Sequence, residues 1–395
     1  MRFKNLLVRV ITFLPLVLLA YGLANVTYNI YKIRRIDYDG IYSELNDYLE
    51  SDRGELSLKP DNDKIQIEYN YRIQDGPYKP RRIEVDFAPS PDDYVIYVYG
   101  SSPVVSRLLF SSEKSLFPFL LQSRLNLDKK GTIDVYNFGV ESFDSFDLEK
   151  LIKATVKFRK PDLMIYYEGH MDYEAAYLTG IKREFYFLRG NFFRYLFGVA
   201  SFKKEKAGSL EKIAEIGDWI IRSTVEPNLL NFLQKFGLVS IPPDPFTGYN
   251  RLIERYYERN IKEIIGFCGQ QDLPVIFVTP IANLKVKPFG VYGITQKYYL
   301  LGLKERDYRK TITYLNKARD SEIFTCDLRA KSGLNDFLRG LDSEDVYVLD
   351  LETRLMDEKF GFDYEYFYDI GHMKPGLHRI IAAYLSDFIE EHIEF

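Results

Sequence analysis

Short apolar runs alternate with longer amphipathic stretches from residue 94 to the C-terminus. Tyr94-Val-Ile-Tyr-Val-Tyr99 is β-branched and aromatic, which predicts a buried strand over 94–99. Residues 108–125 read as largely helical, 132–139 as a strand ending in glycine, and 147–158 as an amphipathic helix. Further strands are expected at 162–167, 274–279 and 346–350. Helices are expected at 213–236 and 249–268, separated by Pro242-Pro-Asp-Pro245. Strands that alternate with helices predict an α/β fold, a parallel central sheet covered by helices on both faces.

Two other regimes flank this pattern. Residues 10–26 carry no charge and follow Arg2, Lys4 and Arg9, so with Leu6, Leu7 and Val8 they are long enough to span a bilayer. A cleaved signal peptide is the rival, because Gly22-Leu23-Ala24 is a weak small-x-small site. A retained N-terminal transmembrane helix over residues 1–35 is the expectation. Lys32, Arg34 and Arg35 balance the basic residues before the span, so the positive-inside rule is nearly tied. A short anchor before one large domain most simply places that domain outside the cytoplasm, periplasmic or extracellular, on the inner membrane. Residues 36–92 are polar, with alternating strands at 64–72 and 82–87 punctuated by Gly76-Pro77 and Pro89-Ser90-Pro91. They predict a stalk and a small β appendage before a main domain at 93–395.

An insertion of about 175–273 interrupts the strand–helix alternation. Its first part, 185–197, is aromatic with interspersed arginines, suited to a lid, to a membrane-surface patch or to a helix packed on the main domain. With 395 residues, 46% hydrophobic and 28% charged, the chain has enough apolar material for a large core. A net charge of −4 argues against a nucleic-acid-binding surface. The 32 Tyr and 29 Phe suit a core first and a carbohydrate or lipid surface second. Cys268 and Cys326 make neither a metal-ligand spacing nor a disulfide framework, leaving one bridge or two buried thiols. The sequence shows no metal-ligand cluster and no phosphate-binding glycine loop, so no cofactor is expected.

Candidate chemistry gathers at strand ends, where open α/β sheets bind ligands. Gly100-Ser-Ser-Pro103 breaks the first strand with a tight turn, a place that displays a nucleophilic hydroxyl. The plain alternative is that Ser102 caps the next helix, with Pro103 at its first position. A serine needs a base, and the chain has four histidines: His170, His372, His378 and His392. His392 lies near the end, where a solvated side chain is expected, and His378 falls at the start of the last helix. His372 stands in a loop-like segment three residues after Asp369, close enough for a single turn to let the carboxylate orient the imidazole. A capping Asp beside a surface His is the equally simple alternative.

Four stretches resemble the blocks of SGNH (GDSL-like) hydrolases, in order and on the matching elements. Gly100-Ser-Ser102 is similar to the first block, Asn137-Phe-Gly139 to the second, Gly169-His-Met-Asp172 to the third and Asp369-Ile-Gly-His372 to the last. Val278-Thr-Pro-Ile-Ala-Asn283, Ala318-Arg-Asp320 and Leu328-Arg-Ala330 look like the membrane-associated branch, whose third block often reads Gly-His-Asn-Glu. The resemblance covers about residue 94 to the C-terminus and matches the insertion poorly. It implies a three-layer flavodoxin-like sandwich, with Ser102 as nucleophile, His372 as base, Asp369 as its partner, and the backbone of Ser102 and Gly139 as oxyanion donors. Met171 stands where the family has its donor asparagine, and a thioether cannot donate. Loss of one such donor typically costs about 10²–10³ in rate. His170, one position earlier, is the candidate substitute. Ser101 also departs from the Asp, Glu or Gly common at its place.

The resemblance thus implies an anchored serine esterase or O-acyltransferase acting on an acylated, most plausibly acetylated, envelope glycan, working beside a membrane-bound O-acyltransferase. A non-catalytic envelope protein on the same scaffold, binding a glycan or a membrane partner, is the second reading; Met171 and the aromatic insertion favour it.

Overall fold

The computed structural model describes residues 54–61, 64–71, 81–86, 93–105, 113–127, 132–173, 247–286, 293–321, 329–341 and 343–394, with isolated positions between 20 and 49. The expected membrane-spanning stretch lies almost wholly outside these residues. So do the aromatic stretch 185–197, the helix expected at 213–236, Cys326 and Leu328. Among the described residues no helix is long and apolar enough to cross a membrane.

Three strands, β1 (Gly54–Asp61), β2 (Lys64–Tyr71) and β3 (Arg81–Asp86), form an antiparallel sheet in the order β1-β2-β3. β1 was not expected from the sequence. Its Leu56 and Leu58 alternate, but Gly54, Pro60 and flanking charges mask the pattern. Pairing places Leu56 opposite Tyr69 and Leu58 opposite Ile67. Ile65 and Ile67 then reach the core of the main domain, where they are buried with Leu148, Leu151 and Ile152.

The main domain is built on five parallel strands: β4 (Tyr94–Gly100), β5 (Ile133–Gly139), β6 (Leu163–Tyr167), β7 (Val275–Val278) and β8 (Val346–Leu349). Their order, β5-β4-β6-β7-β8, is the flavodoxin-like arrangement. β4 is an interior strand buried on both faces, hence its continuous apolar run. Val95, Tyr97 and Tyr99 face one layer and Ile96 and Val98 the other.

On the first face lie helices α3 (Ser145–Phe158), α4 (Thr247–Gln270) and α7 (Ser332–Arg339). On the second lie α2 (Phe117–Leu125), α6 (Tyr308–Asp320), α8 (Leu351–Asp357) and α9 (Pro375–His392). The four-residue α1 (Ser102–Val105) and the twelve-residue α5 (Gly293–Lys304) complete the series α1 to α9. α3 begins where Asp144 Oδ1 accepts the amides of Phe146 and Asp147, both at 3.1 Å. It is held to β4 by tyrosine hydroxyls: Tyr97 donates to the Arg159 carbonyl at 3.0 Å and Tyr99 meets Thr155 Oγ1 at 2.6 Å. Tyr97 and Tyr99 are thus core residues with a hydrogen-bonded tip. α2 starts only at Phe117, with Pro118 in its first turn, later than the helix expected from 108. Cys268 is a buried thiol on α4 whose titration burial pushes up to about 12.

Candidate active site at the carboxyl edge of the sheet

The strand order reverses at β4, and the crevice outside its carboxyl end is the expected ligand position. Gly100 closes β4, paired with Gly139 of β5 on one side and with Tyr167 of β6 on the other. α1 folds directly back over this point. A Cβ at Gly100 would stand 2.3 Å from Val104 Cγ2 and 2.4 Å from the Tyr167 carbonyl. A Cβ at Gly139 would stand 3.1 Å from Val104 Cγ1. The two glycines are thus the space that Val104 occupies. The Ser101 carbonyl accepts the amides of Val104 and Val105 at 2.9 and 3.3 Å, so Ser102 is the first residue inside the turn rather than the residue that precedes it. Ser102 is buried at 9% exposure and Ser101 fully so.

Glu168, the first residue after β6, reaches under this turn. Its Oε2 accepts the Ser101 amide at 2.9 Å and its Oε1 the Met171 amide at 2.7 Å. Burial pushes its carboxyl above the usual range, and the amides of Met171, Gly169 and Ser101 offset that only in part. In the sequence Glu168 marks only the end of the strand at 162–167, and its amide partners are set by the fold. The available signal was a lone charge set directly after five buried strand residues, at the ligand-binding edge.

Asp369 and His372 meet within one loop. Asp369 Oδ2 lies 2.6 Å from His372 Nδ1, and Asp369 Oδ1 accepts the amides of Gly371 and His372 at 2.9 and 2.8 Å. Burial would raise the Asp369 carboxyl, but these bonds, with His372 foremost, hold it below the usual carboxylate range. The pair sits in a pinched loop. The Tyr368 amide donates to the His372 carbonyl at 2.9 Å, and the Lys374 amide donates to Tyr366 at 2.8 Å. With Nδ1 turned to the carboxylate, Nε2 is the nitrogen that faces away, as a general base requires.

Tyr167 bridges the two halves. Its backbone pairs with Gly100, while its hydroxyl contacts Met373 Sδ at 3.9 Å and accepts the Ile281 amide at 3.3 Å. Tyr167 therefore ties the strand end at Gly100 to Met373, the residue that follows His372 in the loop between α8 and α9.

The expected oxyanion donors are differently occupied. The Gly139 amide donates to Asn137 Oδ1 at 2.9 Å. Met171 is buried at 2% and its amide serves Glu168. His170 is fully buried, and its Nδ1 accepts the Ala330 amide at 3.0 Å, which leaves the proton of a neutral ring on Nε2. His378 lies on α9 and is bonded to the backbone of Met373. It accepts the Phe117 amide at 3.3 Å and stacks on that ring, and burial holds its titration down to about 3. His392 is exposed on the last turn of α9, stacked on Phe388. Asp172 of the third block lies in a buried acidic group, bonded to Ser145, which Asn260 also reaches at 2.8 Å. Among the described residues no group of three or more His, Cys, Asp or Glu is placed to hold a metal.

No family model matches the chain, and no curated protein matches it. Among solved structures it is similar to a protein from Desulfitobacterium hafniense assigned to the G-D-S-L lipolytic family, at 12% identity and a TM-score of 0.36, covering 74% of this chain and 98% of that one. It is also similar to a lipase/acylhydrolase from Enterococcus faecalis, at 12% identity and a TM-score of 0.36, covering 76% and 97%. A third is the acetyl xylan esterase AlAXEase, at 12% identity and a TM-score of 0.34, covering 75% and 99%. At these identities and TM-scores the likeness says nothing about the activity of this chain.

Proposed function

We propose that the chain is a serine ester hydrolase or O-acyltransferase of the SGNH type. Ser102 attacks an ester carbonyl, His372 takes its proton and returns it to the leaving alkoxide, and Asp369 holds the imidazole in register. The acyl group then passes to water or to a second hydroxyl. The observation that carries this reading is the Asp369–His372 pair at 2.6 Å, its carboxylate fastened by two backbone amides and its loop joined through Met373 to Tyr167, the backbone partner of Gly100. An acetylated envelope glycan is the substrate proposed. Residues 10–26 would anchor the enzyme in the inner membrane beside a membrane-bound O-acyltransferase partner; what supports this is the uncharged run and the resemblance of the blocks to the membrane-associated branch.

The second reading is a non-catalytic binding protein on the same scaffold. Two donor positions favour it: the Gly139 amide already serves Asn137, and Met171 has no side-chain donor. A fluorophosphonate probe separates the two on detergent-solubilised full-length protein. The esterase reading expects labelling that is lost in Ser102→Ala and His372→Ala and kept in Ser101→Ala. A folded wild type that does not label overturns it in favour of the binding protein.

A further inference from the structure

Asn283 follows β7 and is fully buried, yet no chemistry is assigned to it. Every polar group it has is used. Its amide donates to the Ile370 carbonyl at 2.9 Å, and its side-chain Nδ2 donates to the Asp369 carbonyl at 3.0 Å. Its Oδ1 accepts the Lys285 amide at 3.0 Å, and its own carbonyl accepts Arg329 Nη1 at 3.2 Å. We infer that Asn283 is a positioning residue for the Asp369–His372 pair, an inference that rests on the reading of that pair as base and orienting carboxylate.

The physical reason lies in which carbonyls are held. Those of Asp369 and Ile370 belong to the two peptide groups that follow the Asp369 Cα. Fixing the first sets ψ of Asp369, and so the direction from which its carboxylate meets the amides of Gly371 and His372 and the imidazole. The strap that carries Asn283 is itself tied down on both sides. Arg329 Nη2 donates to the Val286 carbonyl at 3.3 Å, and Lys285 Nζ pairs with Asp363 at 2.8 Å. The Leu284 amide donates at 2.8 Å to the carbonyl of Phe362, which sits at φ 44°, a left-handed conformation costly for an aromatic residue. A carboxylate that drifts by about 1 Å can cost up to about 100-fold in rate, without any change in the reacting groups themselves.

The test uses Asn283→Asp beside Asn283→Ala in the full chain. Asn283→Asp keeps the volume and the acceptor for Lys285 but has no donor for the Asp369 carbonyl. Two readouts are taken: the rate of fluorophosphonate labelling at Ser102, and the low-field proton resonance of the His372–Asp369 bond, assigned by its loss in His372→Ala. Both variants should label about 10- to 100-fold more slowly and lose or broaden that resonance. Asn126→Ala removes an amide that donates to the Ile133 carbonyl at 2.8 Å, at the opposite edge of the sheet, and should change neither readout. An Asn283→Asp protein that labels normally and keeps the resonance overturns the inference. If wild type does not label at all, the esterase reading fails, and the resonance alone still decides the role of Asn283.

Discussion

Single residues at this edge are set by burial against hydrogen bonding, and Glu168 shows it best. Its folded-state titration is raised by burial above the ordinary value of 4.5. A raised carboxyl binds its proton more tightly in the folded state. The stability it contributes is therefore complete below the unfolded value and is lost as pH rises through the folded one. Glu168→Gln removes that titration. We expect the wild-type melting temperature to fall more steeply than that of Glu168→Gln as pH rises above the ordinary carboxyl value of 4.5. Parallel curves in a thermal scan would mean that the carboxyl is no more than an amide acceptor.

The decisive element is the β4–α1 turn. It is tight because two glycines on adjacent strands leave room for one valine. Gly100→Ala sets a methyl against both Val104 and the Tyr167 carbonyl. Side chains yield, but a paired backbone carbonyl does not, so we expect a loss of about 3 kcal/mol, the upper end for overpacking. Adding Val104→Ala should restore only part of it. Urea denaturation of the single and double variants measures both, and full recovery in the double would show that Val104 alone was the obstacle.

Over the whole molecule, the second half of the domain is held by a buried ionic network rather than by apolar contact alone. Arg319 on α6, exposed by only 1%, donates to Glu352 of α8 at 3.0 Å and to Ser332 of α7 at 2.7 Å. Arg339 joins from α7, with Asp350 at 2.7 Å and Glu352 at 2.8 Å. Three helices thereby share one charge cluster beside the strap that carries Asn283. Removing a single partner leaves buried charge uncompensated, which typically costs about 3–5 kcal/mol. Arg319→Ala should lose that much in a denaturant titration. A loss below about 1 kcal/mol would class the network with surface pairs.

Local periodicity was enough for the α/β class. The strands at 94–99, 132–139 and 162–167 are apolar runs bounded by turn residues, and a helix such as α3 shows its buried face at Leu148, Leu151, Ile152 and Val156. The Asp369–His372 contact was legible for the same reason, since its partners lie three residues apart. Strand β1 escaped because its two leucines are diluted by glycine, proline and charge, and only pairing with β2 gives them a face to bury. The tasks of Glu168 and Asn283 could not be read from the chain. Their partners lie 67 and 86 residues away, and a lone buried acid or amide has no period. Which helices cover which face, that Gly139 spends its amide on Asn137, and that Tyr167 joins the serine turn to the histidine loop were decided by tertiary structure. These contacts exist only once the parallel strands stand side by side and bring remote backbone groups within hydrogen-bonding distance.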